Sequence, residues 1–152
     1  LAQSIKKIMP EQKQSVPSPT LAAQIQEWIA ALPSEGLWNS VQRACKEEQM
    51  LPLHSTIIYI WGLRPDGQVL CMDHEAFSQP IDQETDPFKI YVVLKQGART
   101  YPELSVLIPP APPGIRQCEP CAGLGWIKLP EAAYADSCIR CDGFGWYLNV
   151  HH

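Results

Sequence analysis

The sequence predicts an α+β fold, with N-terminal helices packed on a small antiparallel sheet and a small, cysteine-stapled β module after them. Three observations predict it. Apolar residues recur at helical spacing between Leu21 and Cys45, the pattern then shifts to β-branched and aromatic runs between Thr56 and Lys95, and C-x-x-C-x-G-x-G-W occurs twice in the last third.

Residues 1–19 hold Pro10, Pro17 and Pro19 among Gln, Lys and Ser. That composition resists regular packing apart from a turn of helix around Ile5 and Ile8, so a flexible arm is expected. Ser18-Pro19 has the form of a helix start, and Leu21, Ile25, Trp28, Ile29 and Leu32 follow at helical spacing up to Pro33. Ser34 can cap a second helix with Leu37, Trp38, Val41 and Cys45 as its apolar stripe, ending before Pro52. Cys45 is then a small core residue, and His54 an exposed turn residue.

Thr56 to Leu63 is dense in β-branched and aromatic residues, Arg64-Pro65-Asp66-Gly67 suits a tight turn, and Gln68 to Asp73 resumes the apolar run. A β-hairpin is expected there. Phe88 to Lys95 reads as a third strand, Gln96-Gly97 as a turn, and Tyr101 to Leu104 as the start of a short helix ending near Ile108. These elements make residues 20–108 the α+β domain. Pro109, Pro110, Pro112, Pro113 and Gly114 form a polyproline-type spacer, placing a linker over residues 109–117. In residues 118–152, Leu124 to Leu129 and Phe144 to Val150 alternate as two short strands, one leaving each cysteine turn. So short a segment buries too little apolar surface to fold unaided. His151 and His152 are assigned no role.

The net charge of −4 and pI near 5.5 argue against a nucleic-acid binder, which needs a basic field. The charges around the cysteines, Arg116, Glu119, Lys128, Glu131, Asp136, Arg140 and Asp142, are mixed in sign and scattered. No charged-then-apolar signal segment opens the sequence, and Cys45 and Cys71 stand outside the paired motifs, so a cytoplasmic protein is expected rather than a disulfide framework. No run approaches the roughly twenty apolar residues of a membrane span, and no membrane partner is expected.

Cys118-Glu119-Pro120-Cys121-Ala122-Gly123-Leu124-Gly125-Trp126 and Cys138-Ile139-Arg140-Cys141-Asp142-Gly143-Phe144-Gly145-Trp146 are the two copies. Together they supply four thiolates, the number that closes a tetrahedral structural zinc site, and each C-x-x-C turn can aim two sulfurs at one ion. One zinc held by Cys118, Cys121, Cys138 and Cys141 is expected. Gly123, Gly125, Gly143 and Gly145 would permit positive φ and bring backbone N–H groups to the sulfurs, dispersing their charge. Four thiolates leave no open coordination position, so the ion is expected to be structural and no catalytic residue is assigned. The alternatives are a redox-active or disulfide pair, and another metal such as iron.

These residues resemble the cysteine-rich zinc region of DnaJ-type co-chaperones, over Cys118–Gly125 and Cys138–Gly145. The resemblance implies a zinc-ligand role for the four cysteines and, in that family, help in binding unfolded or partner polypeptide. This chain has two repeats where that family has four, and it lacks the His-Pro-Asp motif of a J-domain. The preceding portion is similar in element order to SUKH-type bacterial immunity proteins, which neutralise toxins by direct binding.

Elsewhere, Asp73-His74-Glu75 reads as a solvated strand end, and Asp82, Glu84 and Asp86 as an acidic surface loop lacking the glycine and distal Glu of a calcium site. Trp126 and Trp146 are expected to pack beneath the cysteine turns, the other option being an exposed patch suited to binding. Trp28, Trp38 and Trp61 are expected in the core. The function expected is that of a zinc-bearing module that binds another protein or assists a chaperone, without catalysis. The alternatives are a toxin-neutralising immunity protein and a thiol oxidoreductase using either C-x-x-C pair.

Overall fold

The computed structural model describes residues 16–35, 40–73, 81–128, 130 and 136–149. The expected turn of helix near Ile5, together with Leu37, Trp38, His74, Glu75, Leu129, Val150, His151 and His152, lies outside the described residues. Helix α1 (Pro19–Ala30) starts as its sequence requires: Ser18 Oγ accepts from the Leu21 N–H at 3.2 Å, with Pro19 in the first turn. Its Leu21, Ile25 and Ile29 are buried, and Trp28 sits half-buried with its ring 4.4 Å from that of Tyr101. Helix α2 (Ser40–Glu47) buries Cys45 completely, and burial pushes that thiol up to about 12. Cys45 therefore behaves as an apolar core residue.

Strands β1 (Leu51–Ser55), β2 (Tyr59–Leu63), β3 (Val69–Asp73) and β4 (Asp82–Gln83) form an antiparallel sheet in that order. The expected hairpin is β2–β3. Gly67, at φ 96°, closes its turn by donating to the Arg64 carbonyl at 2.9 Å. The strand expected from Thr56 begins three residues later, because Thr56 to Tyr59 instead close the β1–β2 connection through a 2.8 Å bond from the Thr56 N–H to the Tyr59 carbonyl. Ile57 and Ile58 are left exposed at its tip.

Strand β1 was not expected, because Pro52 weighs against a strand. It is tolerated here because β1 lies at the sheet edge and its pairing is irregular between Pro52 and His54.

The larger departure is the strand expected over Phe88 to Lys95, which is helical, within α3 (Pro87–Thr100). Asp86 caps it, its Oδ1 accepting from the Phe88 N–H at 3.0 Å, and Pro87 fills the first turn. Ile90, Val93, Leu94 and Gly97 recur at i, i+3, i+4 and i+7, so packing against the sheet outweighs the β propensity of the Ile-Tyr-Val-Val run. Gly97 is a point of close approach inside the helix rather than a turn, because a Cβ there would meet the Leu53 side chain. The short helix expected after Tyr101 is a 3-10 helix (Pro102–Leu107).

The α-helices, the 3-10 helix and the four-stranded sheet enclose one core, centred on Ile25, Ile29, Leu51, Leu63, Val93 and Leu104. Trp61 is buried within it. Residues 108–112 carry no regular structure and lead into β5 (Ile115–Gln117), β6 (Trp126–Ile127), β7 (Asp136–Ser137) and β8 (Trp146–Leu148). Strand β5 pairs with β8 and β6 with β7, both antiparallel. The mixed α+β class is thus as the sequence predicts. Among the described residues, no helix is long and apolar enough to cross a membrane.

Candidate metal centre

Each sequence copy folds into the same turn. Cys118 follows β5 and Cys138 follows β7, and each carbonyl accepts, at 3.0 Å, from the N–H five residues on, that of Gly123 or Gly143. Ala122 and Asp142, both at φ 54°, make the left-handed step, and Gly123, Gly125, Gly143 and Gly145 have φ between 80° and 88°. Asp tolerates this region better than Ala, whose Cβ crowds the following carbonyl. The reversal aims the Gly125 N–H at Cys121 Sγ (3.3 Å) and the Gly145 N–H at Cys141 Sγ (3.1 Å). All four glycines take the positive φ that the spacing predicts; the N–H groups of Gly125 and Gly145 donate to sulfur, whereas those of Gly123 and Gly143 close the turns on the Cys118 and Cys138 carbonyls.

The two copies are joined by exchange. The strand leaving each copy pairs with the strand entering the other, and the Cys118 N–H donates to the Gly145 carbonyl (2.9 Å) as the Cys138 N–H donates to that of Gly125 (3.0 Å). A Cβ on Gly125 would run into the Gly143 carbonyl oxygen, and one on Gly145 into that of Gly123. Only glycine fits where the turns face each other.

All four cysteines are buried, and their sulfurs lie within 4.8 Å of one another. Cys118 Sγ is 3.8 Å from Cys138 Sγ, and Cys121 Sγ is 3.7 Å from Cys141 Sγ. Both distances are far beyond the roughly 2.05 Å of a disulfide bond. Such a cluster can hold a metal ion. Burial pushes the Cys141 thiol up to about 12 and also raises Cys118. At Cys121 burial pushes the same way, but the donors around the sulfur, led by the Gly125 N–H, outweigh it and lower the value. A cation among the sulfurs favours the thiolate form at every one of them.

The turns rest on three polar side chains of the α+β portion. Gln96, buried in α3, donates from Nε2 to the carbonyls of Gly123 (2.8 Å) and Phe144 (2.7 Å). Arg99 Nη2 adds a bond to the Gly123 carbonyl at 3.2 Å. His54 bonds through Nε2 to the Gly143 carbonyl. A carbonyl only accepts, so Nε2 carries the proton. The peptide between Phe144 and Gly145 therefore gives its oxygen to Gln96 and its N–H to Cys141 Sγ, so Gln96 orients and polarises a donor to sulfur. Phe144 adds ring contacts with Trp61 (5.1 Å) and Phe88 (5.8 Å).

Sequence reasoning missed these supports. Gln96 was expected in a turn and His54 in an exposed turn, whereas one is buried in a helix and the other half-buried in β1. No motif marks them; the helical spacing of Ile90, Val93, Leu94 and Gly97 was the one signal that put residue 96 inside a helix. Trp126 departs from the packed position expected of it, being 46% exposed. Trp146 is half-buried, edge-on to Tyr91 and beneath the Lys95 ammonium, 4.9 Å from the ring centroid. Cys71 is half-buried in β3, its thiol pushed up to about 11 by burial first and by Glu84 next. Glu84 accepts from Trp61 Nε1 at 2.7 Å and Asp86 caps α3, so both acids have local partners. No known protein family, curated protein or solved structure matches the chain.

Gly125→Ala should cost about 1–3 kcal/mol from backbone strain alone, whereas Ala122→Gly should leave stability unchanged or raise it by up to about 1 kcal/mol; denaturant titration with metal in excess measures both. Gln96→Leu should weaken metal affinity by about 10–100-fold, read by competition with a chromogenic chelator. His54 lies below its ordinary 6.5, through burial first and Arg99 next, the Gly143 bond opposing. The unfolded chain therefore takes up the proton first on acidification, so the stability conferred by neutral His54 is intact above pH 6.5 and is lost as the pH falls toward the folded value. Relative to His54→Gln, which keeps a donor for Gly143, the native chain should lose stability as the pH falls below about 6.5, in denaturation at matched metal loading.

Proposed function

We propose that Cys118, Cys121, Cys138 and Cys141 bind one zinc ion, that the ion is structural, and that the chain acts in the cytoplasm by binding another protein. The observation that carries the zinc reading is the sulfur spacing. Four sulfurs about 2.3 Å from a central zinc in tetrahedral geometry lie about 3.8 Å apart, against the 3.8 and 3.7 Å between facing sulfurs of the two pairs. Oxygen-preferring cations are disfavoured by a set of four soft thiolates, and a closed set offers no coordination position to a substrate.

A binding role draws support from the chemistry around the site rather than from the ion. The resemblance to DnaJ-type repeats suits a protein-binding or chaperone-accessory module, and Trp126 is exposed beside the metal turns. A thiol oxidoreductase draws less support. Each sulfur has its facing neighbour in the opposite pair, and neither C-x-x-C segment opens a helix.

Elemental analysis should give one zinc per chain, and the four thiols should resist a thiol reagent until a strong chelator is added. Cys138→Ser should lose the ion and unfold the C-terminal module, seen as loss of amide protection over residues 115–148, and should lose any protein partner that the native chain captures. Fast thiol reaction with zinc still bound, or an oxidised Cys118–Cys121 pair in the native protein, would overturn the structural reading.

A further inference from the structure

The α+β portion and the second cysteine turn meet along an open groove of about 560 Å³. Ile57, Ile58 and Tyr59, from the tip of the β1–β2 connection, line it together with Ile139 and Phe144 of the cysteine turn. Ile57 is 66% exposed and Ile139 89% exposed, which is unusual for aliphatic side chains so near each other and marks a contact surface rather than a core. Beyond Ile57 a smaller recess of about 390 Å³ shares Thr56, Ile57 and Ser137 with the groove and ends at Trp126. The apolar strip is therefore continuous across both parts of the chain.

Its charged members say what fits. Among the described residues, Asp82, Glu84 and Asp142 line the groove against a single cation, Lys89. Glu84 is held there by design of its surroundings: Oε1 accepts from Trp61 Nε1 at 2.7 Å, and Oε2 accepts from the N–H groups of Thr85 and Asp86, both at 3.1 Å. A fixed carboxylate loses no side-chain freedom on meeting a cation. Phosphates of nucleic acid and anionic lipid headgroups are repelled by this rim, and a second copy of a chain of net charge −4 meets the same repulsion.

We propose that this groove docks an extended segment of a partner protein in which a lysine or arginine is flanked by apolar side chains. The inference rests on the protein-binding reading above and names the chemistry of the partner. The apolar side chains cover Ile57 and Ile139, while the cation lies among Asp82, Glu84 and Asp142. Because Ile139, Asp142 and Phe144 stand on the second cysteine turn, the groove exists in this form only while that turn is folded, and docking depends on the ion.

The test uses fluorescence anisotropy on the full, metal-loaded chain with three labelled heptapeptides, one alternating leucine and lysine, one leucine and glutamate, and one serine and lysine. The leucine–lysine peptide should bind at least about tenfold more tightly than either other peptide, and its affinity should fall several-fold between about 50 and about 500 mM salt. Ile57→Asp combined with Ile139→Asp should weaken it at least about tenfold while metal content and circular dichroism stay as in the native chain. Asp142→Asn, which tolerates the same left-handed backbone, should weaken it by a smaller factor and flatten its salt dependence. Equal binding of the leucine–glutamate peptide, undiminished binding by the double variant, or no binding at all would overturn the proposal. So would a dimer in sedimentation that the double variant dissolves, since a second copy would then be the occupant. If partner capture survives the double variant but is lost in Cys138→Ser, the groove inference fails while the metal-module reading stands. If capture is unchanged in Cys138→Ser, the metal-module reading fails, and the groove inference with it, because the groove needs the folded turn.

Discussion

Four buried sulfurs cannot be brought within reach of one another by a short chain unless something overcomes their mutual aversion as thiolates and the strain of the turns that carry them. In this protein the contest is settled by donors. The N–H groups of Gly125 and Gly145 reach Cys121 and Cys141, and the backbone that frees them has positive φ at three of four successive positions, Ala122, Gly123 and Gly125 in one copy and Asp142, Gly143 and Gly145 in the other. A cation bound among the sulfurs would add the charge those donors leave unbalanced. Once that holds, the short strands follow, because β5–β8 and β6–β7 are only two or three residues long and, among the described residues, have no apolar core of their own besides the cysteines and Ile127.

The α+β portion is more than a neighbour to this arrangement. Its edge strand presents His54 and its helix α3 presents Gln96 and Arg99 to carbonyl oxygens of the two turns, so the buried amide nitrogen of Gln96 finds its acceptors in the cysteine segment. An unmet buried amide costs about 1–3 kcal/mol, so these bonds bind the stability of each part to the integrity of the other. Phe144, lodged against Trp61 and Phe88, adds an apolar tie. Short metal turns and a conventional hydrophobic core thus share one set of polar contacts.

What was legible in the sequence divides along a physical line. The cysteine and glycine spacing could be read because chemistry fixes it: two sulfurs per tight turn, and glycine at the positions near φ 80–88° where the turns close on each other. The first helix and the β2–β3 hairpin were legible through Ser18-Pro19 and Arg64 to Gly67, local signals acting on local structure. Helix α3 was not, because the Ile-Tyr-Val-Val run favours strands locally and only its packing on the sheet decides otherwise. β1 was hidden by Pro52, whose acceptability depends on being at an edge, a fact of topology. Gln96 and His54 were missed for the same reason, since their partners lie 27 to 89 residues away.

The exchange of strands between the two cysteine copies bears on the order in which the chain comes into being. Since β5, made early in the segment, finds its partner only in β8, and the Gly114 carbonyl accepts from the Asn149 N–H at 2.7 Å, neither copy can be finished alone during vectorial synthesis on the ribosome. The first pair of thiols, and the amide waiting for them in α3, must remain exposed until β8 has left the exit tunnel. Closure of the first cysteine turn thus waits on β8, and its thiols stay open throughout that interval to competing oxidants and foreign ions.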